Sequence, residues 1–338
     1  MKKPLLLAAS VGLIICSCLA AFGLPVGDSL RLISKGAFGD WFAISRSLVM
    51  ASPLILTALG AVIAWKAGMF NIGGEGQYVM GGLTAAVIAP HLSGFPFWAQ
   101  TIVLTLACGL GGAAYALLAG WLFVKRQVEV VISTILLNFV ALQILSWAVS
   151  GPLQRQKADL PQTENLAREV MFARPDPQAD FHIGIFMGVA LAVLTWAMLS
   201  RTKFGFRLKV VGANAMAARS SGIPVSRIRL TAMALSGFCC GLAAASEYIG
   251  VAGTIDKGFS QNWAFLGIPT ALLGGLHPLG ALVSAVFFGG LFAGSENLAR
   301  FTSGASTLIL VMQSAALFVV IALQSSRAKK FTEAKSST

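Results

Sequence analysis

The sequence predicts an all-α polytopic membrane protein of about ten transmembrane helices, with two inverted four-helix repeats whose helices are broken. Three observations carry this expectation. Of 338 residues, 56% are hydrophobic and only 11% charged, whereas a soluble domain carries about 25% charged residues. The apolar residues fall into runs of roughly 17–25, the length that crosses about 30 Å of hydrocarbon at 1.5 Å per residue. Runs such as 97–124 and 128–150 show no alternation of polarity, which excludes the ten-residue alternating segments of a membrane β-barrel.

Taken in order, a first apolar run at 4–23 follows Met1-Lys2-Lys3. It reads as a retained first span or as a cleaved signal peptide. Leu-rich sequence continues to Leu24, longer than a usual signal core, and this favours retention. Runs bounded by charge or by Pro and Gly clusters then place spans at 47–65, 76–92, 97–124, 129–150, 183–200, 229–250, 263–276, 279–296 and 305–323. Repeat one covers 47–150 and repeat two 229–323, and a single permeation domain spans the chain. Between the repeats lie an external loop at 151–182, the span at 183–200 and a cytoplasmic loop at 201–228, and a cytoplasmic tail follows at 324–338.

The net charge of +12 fits this threading better than it fits a nucleic-acid partner, because no aromatic-basic module accompanies it. Lys2, Lys3, Lys66, Lys125, Arg126, the basic residues from Arg201 to Arg229, Arg327, Lys329, Lys330 and Lys335 all fall on one side. The 151–182 segment on the other side mixes acidic and basic residues almost evenly. Basic loops stay cytoplasmic, so both termini are expected inside. The 201–228 loop has no acidic residue, and Asn214–Ser221 could form two helical turns stopped by Gly222 and Pro224. It reads as a cytoplasmic docking element, and alternatively as a basic loop on anionic lipid.

Polarity enters the membrane at Gly68-Met69-Phe70-Asn71-Ile72-Gly73-Gly74-Glu75-Gly76-Gln77, a poor helix with apolar sequence on both sides. Non-helical backbone at this depth survives only where protein or a watery cavity satisfies it. The segment therefore reads as a broken or re-entrant element lining a pathway, the plainer alternative being a solvated cytoplasmic turn. Gly258-Phe259-Ser260-Gln261-Asn262-Trp263 is its counterpart in the second half, and inverted repeats interrupted at matching positions are a transporter architecture. Candidate pathway residues are Asn71, Glu75, Gln77, Asn138, Gln261, Asn262 and Trp263. Gln143, Glu247, Glu296 and Gln313 are further polar groups inside apolar sequence, each able simply to bond a neighbouring helix.

Absent motifs narrow the chemistry. There is no Gly-x-x-x-x-Gly-Lys-Ser/Thr phosphate loop, so nucleotide hydrolysis belongs on another chain. Cys16, Cys18, Cys108, Cys239 and Cys240 lie inside apolar runs without zinc-ligand spacing. No catalytic residue, metal site or cofactor is expected, and the acidic residues are too scattered for a proton relay. An ion-coupled secondary carrier is the alternative that inverted repeats alone leave open.

The string Phe70-Asn71-Ile72-Gly73-Gly74-Glu75-Gly76-Gln77 resembles the permease subunits of bacterial ABC importers for nucleosides and simple sugars, a branch related to ribose-type and branched-chain amino acid permeases. Ile132-Ser133-Thr134-Ile135-Leu136-Leu137-Asn138 resembles that family's helix ending in Leu-Asn. Gly212–Ile223 resembles its cytoplasmic coupling segment, and Leu266–Gly275 with Pro278-Leu279-Gly280 its second-half signature. The likeness covers about 45–325. It implies a location in the bacterial inner membrane and four partners besides lipid: a cytoplasmic ABC ATPase, a second permease chain, an external solute-binding protein and a small polar solute. It also implies that Gly212, Asn214, Ala217, Ala218, Arg219, Gly222 and Ile223 couple to the ATPase. Nucleoside-type members carry a Gly-Phe-Asp-Gly-Ile-Ala-like string where this chain has Gly258–Phe265, so purines and simple sugars join nucleosides as expected solutes.

Overall fold

The computed structural model describes residues 16–17, 19–21, 23–155, 160–176 and 179–301. Among them the chain is helical, with no strand and a single isolated bridge between Gln162 and Asp256. The helices are α1 (Val26–Phe38), α2 (Trp41–Lys66), α3 (Gly74–Ile88, followed by a 3-10 turn at Ala89–Leu92), α4 (Phe97–Arg126), α5 (Val130–Val149) and α6 (Gly184–Arg201). Then come α7 (Lys203–Ala213), α8 (Ala215–Ser220), α9 (Val225–Glu247, continued by a π turn at Tyr248–Ala252), α10 (Trp263–Leu273) and α11 (Pro278–Ala299).

Six of these are long and apolar enough to cross a membrane: α2, α4, α5, α6, α9 with its π turn, and α11. They coincide with the expected spans at 47–65, 97–124, 129–150, 183–200, 229–250 and 279–296. The other two expected spans within this range are not of spanning length. At 76–92 stands α3, with 15 helical residues, and at 263–276 stands α10, with 11. At 1.5 Å per residue they reach about 22 and 16 Å, short of a hydrocarbon core. Each starts after a non-helical connector, where backbone that leaves the helix takes up length an intact span would have used. The spans expected at 305–323 and, but for a few residues, at 4–23 lie outside the described residues, as does the tail at 324–338.

Helix α1 was not expected. Its buried face is Ser29, Ile33 and Ala37, with Asp28 in the first turn and Lys35 in the last, charges that suit the helix dipole at each end. It belongs to a compact unit that, among the described residues, takes in those up to Met50 and those from Val286 on. There α11 lies against α1 at backbone distance: a methyl on Gly294 would strike the Ile33 carbonyl, and one on Gly36 would strike Asn297. Asn297 Nδ2 donates to Leu32 O at 2.9 Å, and Arg46 pairs with Glu296 at 3.3 Å.

The second unit, Ala51–Ala285, is built around α3, α4 and α9. Helices α4 and α9 meet where Gly112 faces the Gly237 carbonyl and Gly241 the Cys108 carbonyl, each with no room for a Cβ. Lipid offers no hydrophobic drive between helices, so close backbone approach through small residues is what holds them together. Cys108, Cys239 and Cys240 are buried in this core.

Candidate functional site

The expected break at 68–77 is a connector that leaves α2 and enters α3. Helix α2 ends in a glycine turn: Gly68 sits at φ +71°, its N–H donates to Trp65 O, and the Met69 N–H reaches Ala64 O, both at 3.0 Å. The chain then runs to Gly73 without regular structure, leaving polar backbone groups that need partners. Asn71 Oδ1 accepts from Gly73 N at 2.9 Å and from Gln77 Nε2 at 3.0 Å, while its Nδ2 donates to Gln77 Oε1 at 3.0 Å and Ser236 Oγ at 2.9 Å. Asn138, on α5, takes two more: its Oδ1 accepts from Gly76 N at 2.8 Å and its Nδ2 donates to Ile72 O at 3.0 Å. A Cβ on Gly76 would lie 3.1 Å from that same Asn138 oxygen, so a side chain there would have to push it aside.

The second break is built the same way. After the π turn Gly253 takes φ +67° and donates to Tyr248 O at 2.8 Å. Residues 254–262 are irregular, and α10 begins at Trp263 with no cap from its own chain neighbour, Asn262. The cap comes from α3. Glu75 Oε1 accepts from Ser260 Oγ at 2.6 Å and Asn262 N at 3.1 Å, and Oε2 accepts from Ala264 N at 3.1 Å. Glu75 is only 1% exposed. A carboxylate at a helix N-terminus meets unpaired N–H groups and the positive end of the dipole, which is how a negative charge is held away from water without a cation.

Of the seven expected pathway residues, the structure therefore brings Asn71, Gln77 and Asn138 into one buried cluster that satisfies the first connector, and turns Glu75 toward the second connector. Trp263 is buried and its carbonyl accepts from Thr57 Oγ1 at 3.2 Å. Gln261 and Asn262 are exposed. Ser236, Thr134 and Ser260 complete these networks and were not singled out from the sequence. Ser260 stood inside the quoted motif, whereas Ser236 is one serine in an apolar run and carried no signal. Among the other polar groups, Glu296 pairs with Arg46, Glu247 is buried, and Gln313 lies outside the described residues.

The expected coupling segment is two short helices. Thr202 Oγ1 caps α7 by accepting from Gly205 N at 3.0 Å, and Asn214 Oδ1 caps α8 by accepting from Met216 N and Ala217 N, both at 3.0 Å. Helix α8 closes with Gly222 N donating to Arg219 O and Ile223 N to Ala218 O, both at 3.0 Å, with Gly222 at φ +75°. These two bonds form a Schellman turn, which needs a residue free to adopt the left-handed region. Ala218 is buried, Ile223 half-buried, and Ala217 and Arg219 face outward. At the end of α7, Gly212 is in backbone contact with the Lys66 carbonyl and lies beside Gly68. The coupling segment thus rests on the first connector.

The 151–182 segment rests on the second. Thr163 N donates to Ile255 O and Leu166 N to Gly253 O, each at 2.9 Å, and Phe172 N donates to Ile249 O at 3.0 Å. His182 is wedged between Gly184 and Gly250, leaving no room for a Cβ on either. Its Nδ1 accepts from Gly184 N at 3.1 Å, so the ring is neutral. Burial, helped by nearby Arg174, pushes its pKa down to about 4.

The family described as branched-chain amino acid transport system / permease component matches residues 43–322. The chain is 30% identical to a glucose ABC transporter permease protein of Haloferax volcanii, over 90% of this chain and 82% of that one. It is 29% identical to the guanosine ABC transporter permease protein NupP of Bacillus subtilis, over 82% and 80%. It is also 28% identical to a second permease protein of that organism, NupQ, also named for guanosine, over 73% and 79%.

Proposed function

The chain belongs to this family of ABC importer permeases, and from that premise we propose that its two connectors form a single strut through which the ATPase drives passage of a nucleoside or simple sugar. ATP hydrolysis takes place on a separate chain. The observation that carries the reading is the Glu75 carboxylate of α3 capping α10 through Ser260, Asn262 and Ala264.

Three features support an inverted pair of four-helix repeats. Helices α2 and α9 each end at a glycine of positive φ, each leads into an irregular connector, and each connector delivers a short helix whose first turn is capped from elsewhere in the fold. In a bilayer the 201–228 loop and both termini face the cytoplasm, and 151–182 faces outward. With spans added at 4–23 and 305–323, the chain has ten membrane segments.

Motion then follows the contacts. Closure of the ATPase dimer presses on α8, held at a fixed angle by Asn214 and Gly222. Helix α7 passes the push through Gly212 to the end of α2 and the first connector. Glu75 carries it to the second connector, whose far end is pinned by residues 163–172, where the solute-binding protein delivers its cargo. Asn71, Gln77 and Asn138 brace the strut from behind while Gln261 and Asn262 present amides to the solute. Ring hydroxyls common to nucleosides and sugars suit such amides.

Uptake into proteoliposomes tests the reading. The chain, co-purified with its ATPase and partner permease, should take up radiolabelled guanosine or glucose only with ATP inside the vesicle and binding protein outside. Uptake by this chain alone on an ion gradient would overturn it.

A further inference from the structure

A charged cavity in the unit that holds α1 has no part in the strut. It lies between the end of α1, the start of α2 and the end of α11, with a volume of about 160 Å³. Clefts that enclose drug-sized ligands run to about 300–1,000 Å³, so it is small for a solute site. Five ionisable side chains line it: Lys35, Asp40, Arg46, Glu296 and Arg300. Arg46 and Glu296 pair at 3.3 Å, and Asp40 Oδ1 accepts from Ala43 N at 2.7 Å in the first turn of α2. Lys35 and Arg300 make no ion pair among the described residues. Three cations against two carboxylates leave the walls with one positive charge in excess, and two side chains that can only donate are open to a ligand. Depth narrows the occupant. Arg46 precedes Lys66, the last residue of α2, by about 20 residues, which at 1.5 Å each is about 30 Å, the thickness of the hydrocarbon core. With Lys66 at one interface, the cavity stands at the other, in the headgroup layer. Trp41 and Phe42 are each 50% exposed and Phe301 67%, and exposed aromatic rings gather at that level.

We propose that this cavity binds the phosphodiester of an anionic phospholipid from the external leaflet. Only the choice of leaflet rests on the orientation proposed above. Lys35 and Arg300 take the phosphate oxygens, and the excess positive charge of the walls balances the single negative charge of the lipid. Phe42 and Phe301, which also line the cavity, lie along the upper part of the acyl chains. A zwitterionic headgroup brings an ammonium that needs a carboxylate of its own, whereas Glu296 already holds Arg46 and Asp40 holds the Ala43 N–H. An acidic protein surface would meet the cations equally well but would leave the exposed rings unused. Bound in this way, the phosphate bridges Lys35 of α1 and Arg300 just beyond α11, and so fastens α1 to the bundle.

The test is native mass spectrometry of the full importer complex, delipidated in detergent and titrated with short-chain phosphatidylglycerol. The parent should retain the lipid, and the double variant Lys35→Gln, Arg300→Gln should bind it about 30-fold more weakly, about 5-fold for each cation removed. Arg31→Gln, which takes a cation from α1 outside the cavity, should bind as the parent does. Benzoylphenylalanine at position 42 locates the site: irradiation should attach phosphatidylglycerol to this chain, and should not once both cations are gone. Parental binding by the double variant, or equal weakening by Arg31→Gln, would overturn the proposal. So would equal retention of phosphatidylcholine, which would show that charge does not choose the occupant, or displacement of the lipid by inorganic phosphate, which would mark a site for a free anion. Weaker capture of the binding protein by the double variant, with lipid retention unchanged, would make the cavity a protein contact instead. None of these readouts involves uptake, so they decide the lipid site whichever solute the chain carries.

Discussion

Glu75 is the residue on which the strut depends, and its three donors set the size of the effect expected when it is changed. In Glu75→Ala all three lose their acceptor. Ser260 can turn its hydroxyl and Asn262 is exposed enough to bind water, but the Ala264 N–H is buried. Leaving a buried donor unsatisfied costs about 1–3 kcal/mol, and a hydrogen bond to a charged group is worth about 1.5–3 kcal/mol. Together these put the loss in holding α10 at about 2.5–6 kcal/mol, enough to let its N-terminus drift. Glu75→Gln is the sharper probe. Its oxygen can keep the two bonds made by Oε1, while its NH₂ must then face the Ala264 N–H, donor against donor. One bond of three is lost, and the cost falls to about 1–3 kcal/mol. In proteoliposomes holding the whole importer, Glu75→Ala should abolish uptake and Glu75→Gln should retain part of it, both at parental levels in the membrane. Parental uptake by Glu75→Ala would refute the strut.

Gly222→Val places a β-branched residue at φ +75° in open space, so the penalty is backbone strain alone, about 1–3 kcal/mol; solute moved per ATP hydrolysed should fall, less so for Gly222→Asn, and unchanged stoichiometry would mean that α8 needs no fixed angle. Burial holds the pKa of His182 near 4, against 6.5 for a free histidine. The unfolded chain therefore takes up the proton first as pH falls. The stabilisation, about 3 kcal/mol, is complete above pH 6.5 and is lost as pH drops toward 4. Hydrogen exchange across Ile249–Ile255 should accelerate over that window in the parent and not in His182→Gln, and equal profiles would show that the ring does not hold the turn. Finally, an impermeant maleimide should label Leu160→Cys from outside and Ser220→Cys only in inverted vesicles, and labelling of both from one face would break the proposed topology.

The long spans were legible because a run of apolar residues leaves the backbone only one way to satisfy itself in lipid. The breaks were legible for the converse reason, since glycines around Asn71 weaken a helix, although the helix resumes at Gly74, earlier than the 68–77 motif suggested. What these polar residues do was not legible. Sequence marks Glu75 as a carboxylate in an apolar context, which suits a solute contact and a structural cap equally, and the choice depends on Ser260, Asn262 and Ala264, far along the chain. The expected span at 263–276 ran past the end of α10 at Leu273, because the turn that follows it carries no charge to mark the stop, whereas the span at 76–92 meets α3 and its 3-10 turn. Helix α1 escaped notice because 13 residues with Asp28, Arg31 and Lys35 do not resemble a span.

The capping of α10 by α3 also bears on how the protein is made. The carboxylate and its nearest donor are 185 residues apart in the chain. At synthesis rates of 5–20 residues per second, roughly 10–40 s separate the emergence of Glu75 from that of Ser260, Asn262 and Ala264. Throughout that interval the Glu75 carboxylate lacks the three donors it meets in the finished fold, so the cap that joins α3 to α10 forms only after residue 264 has been made. The amino-terminal half is therefore an unfinished object rather than an independent folding unit, and quality control has a defined window in which to recognise it.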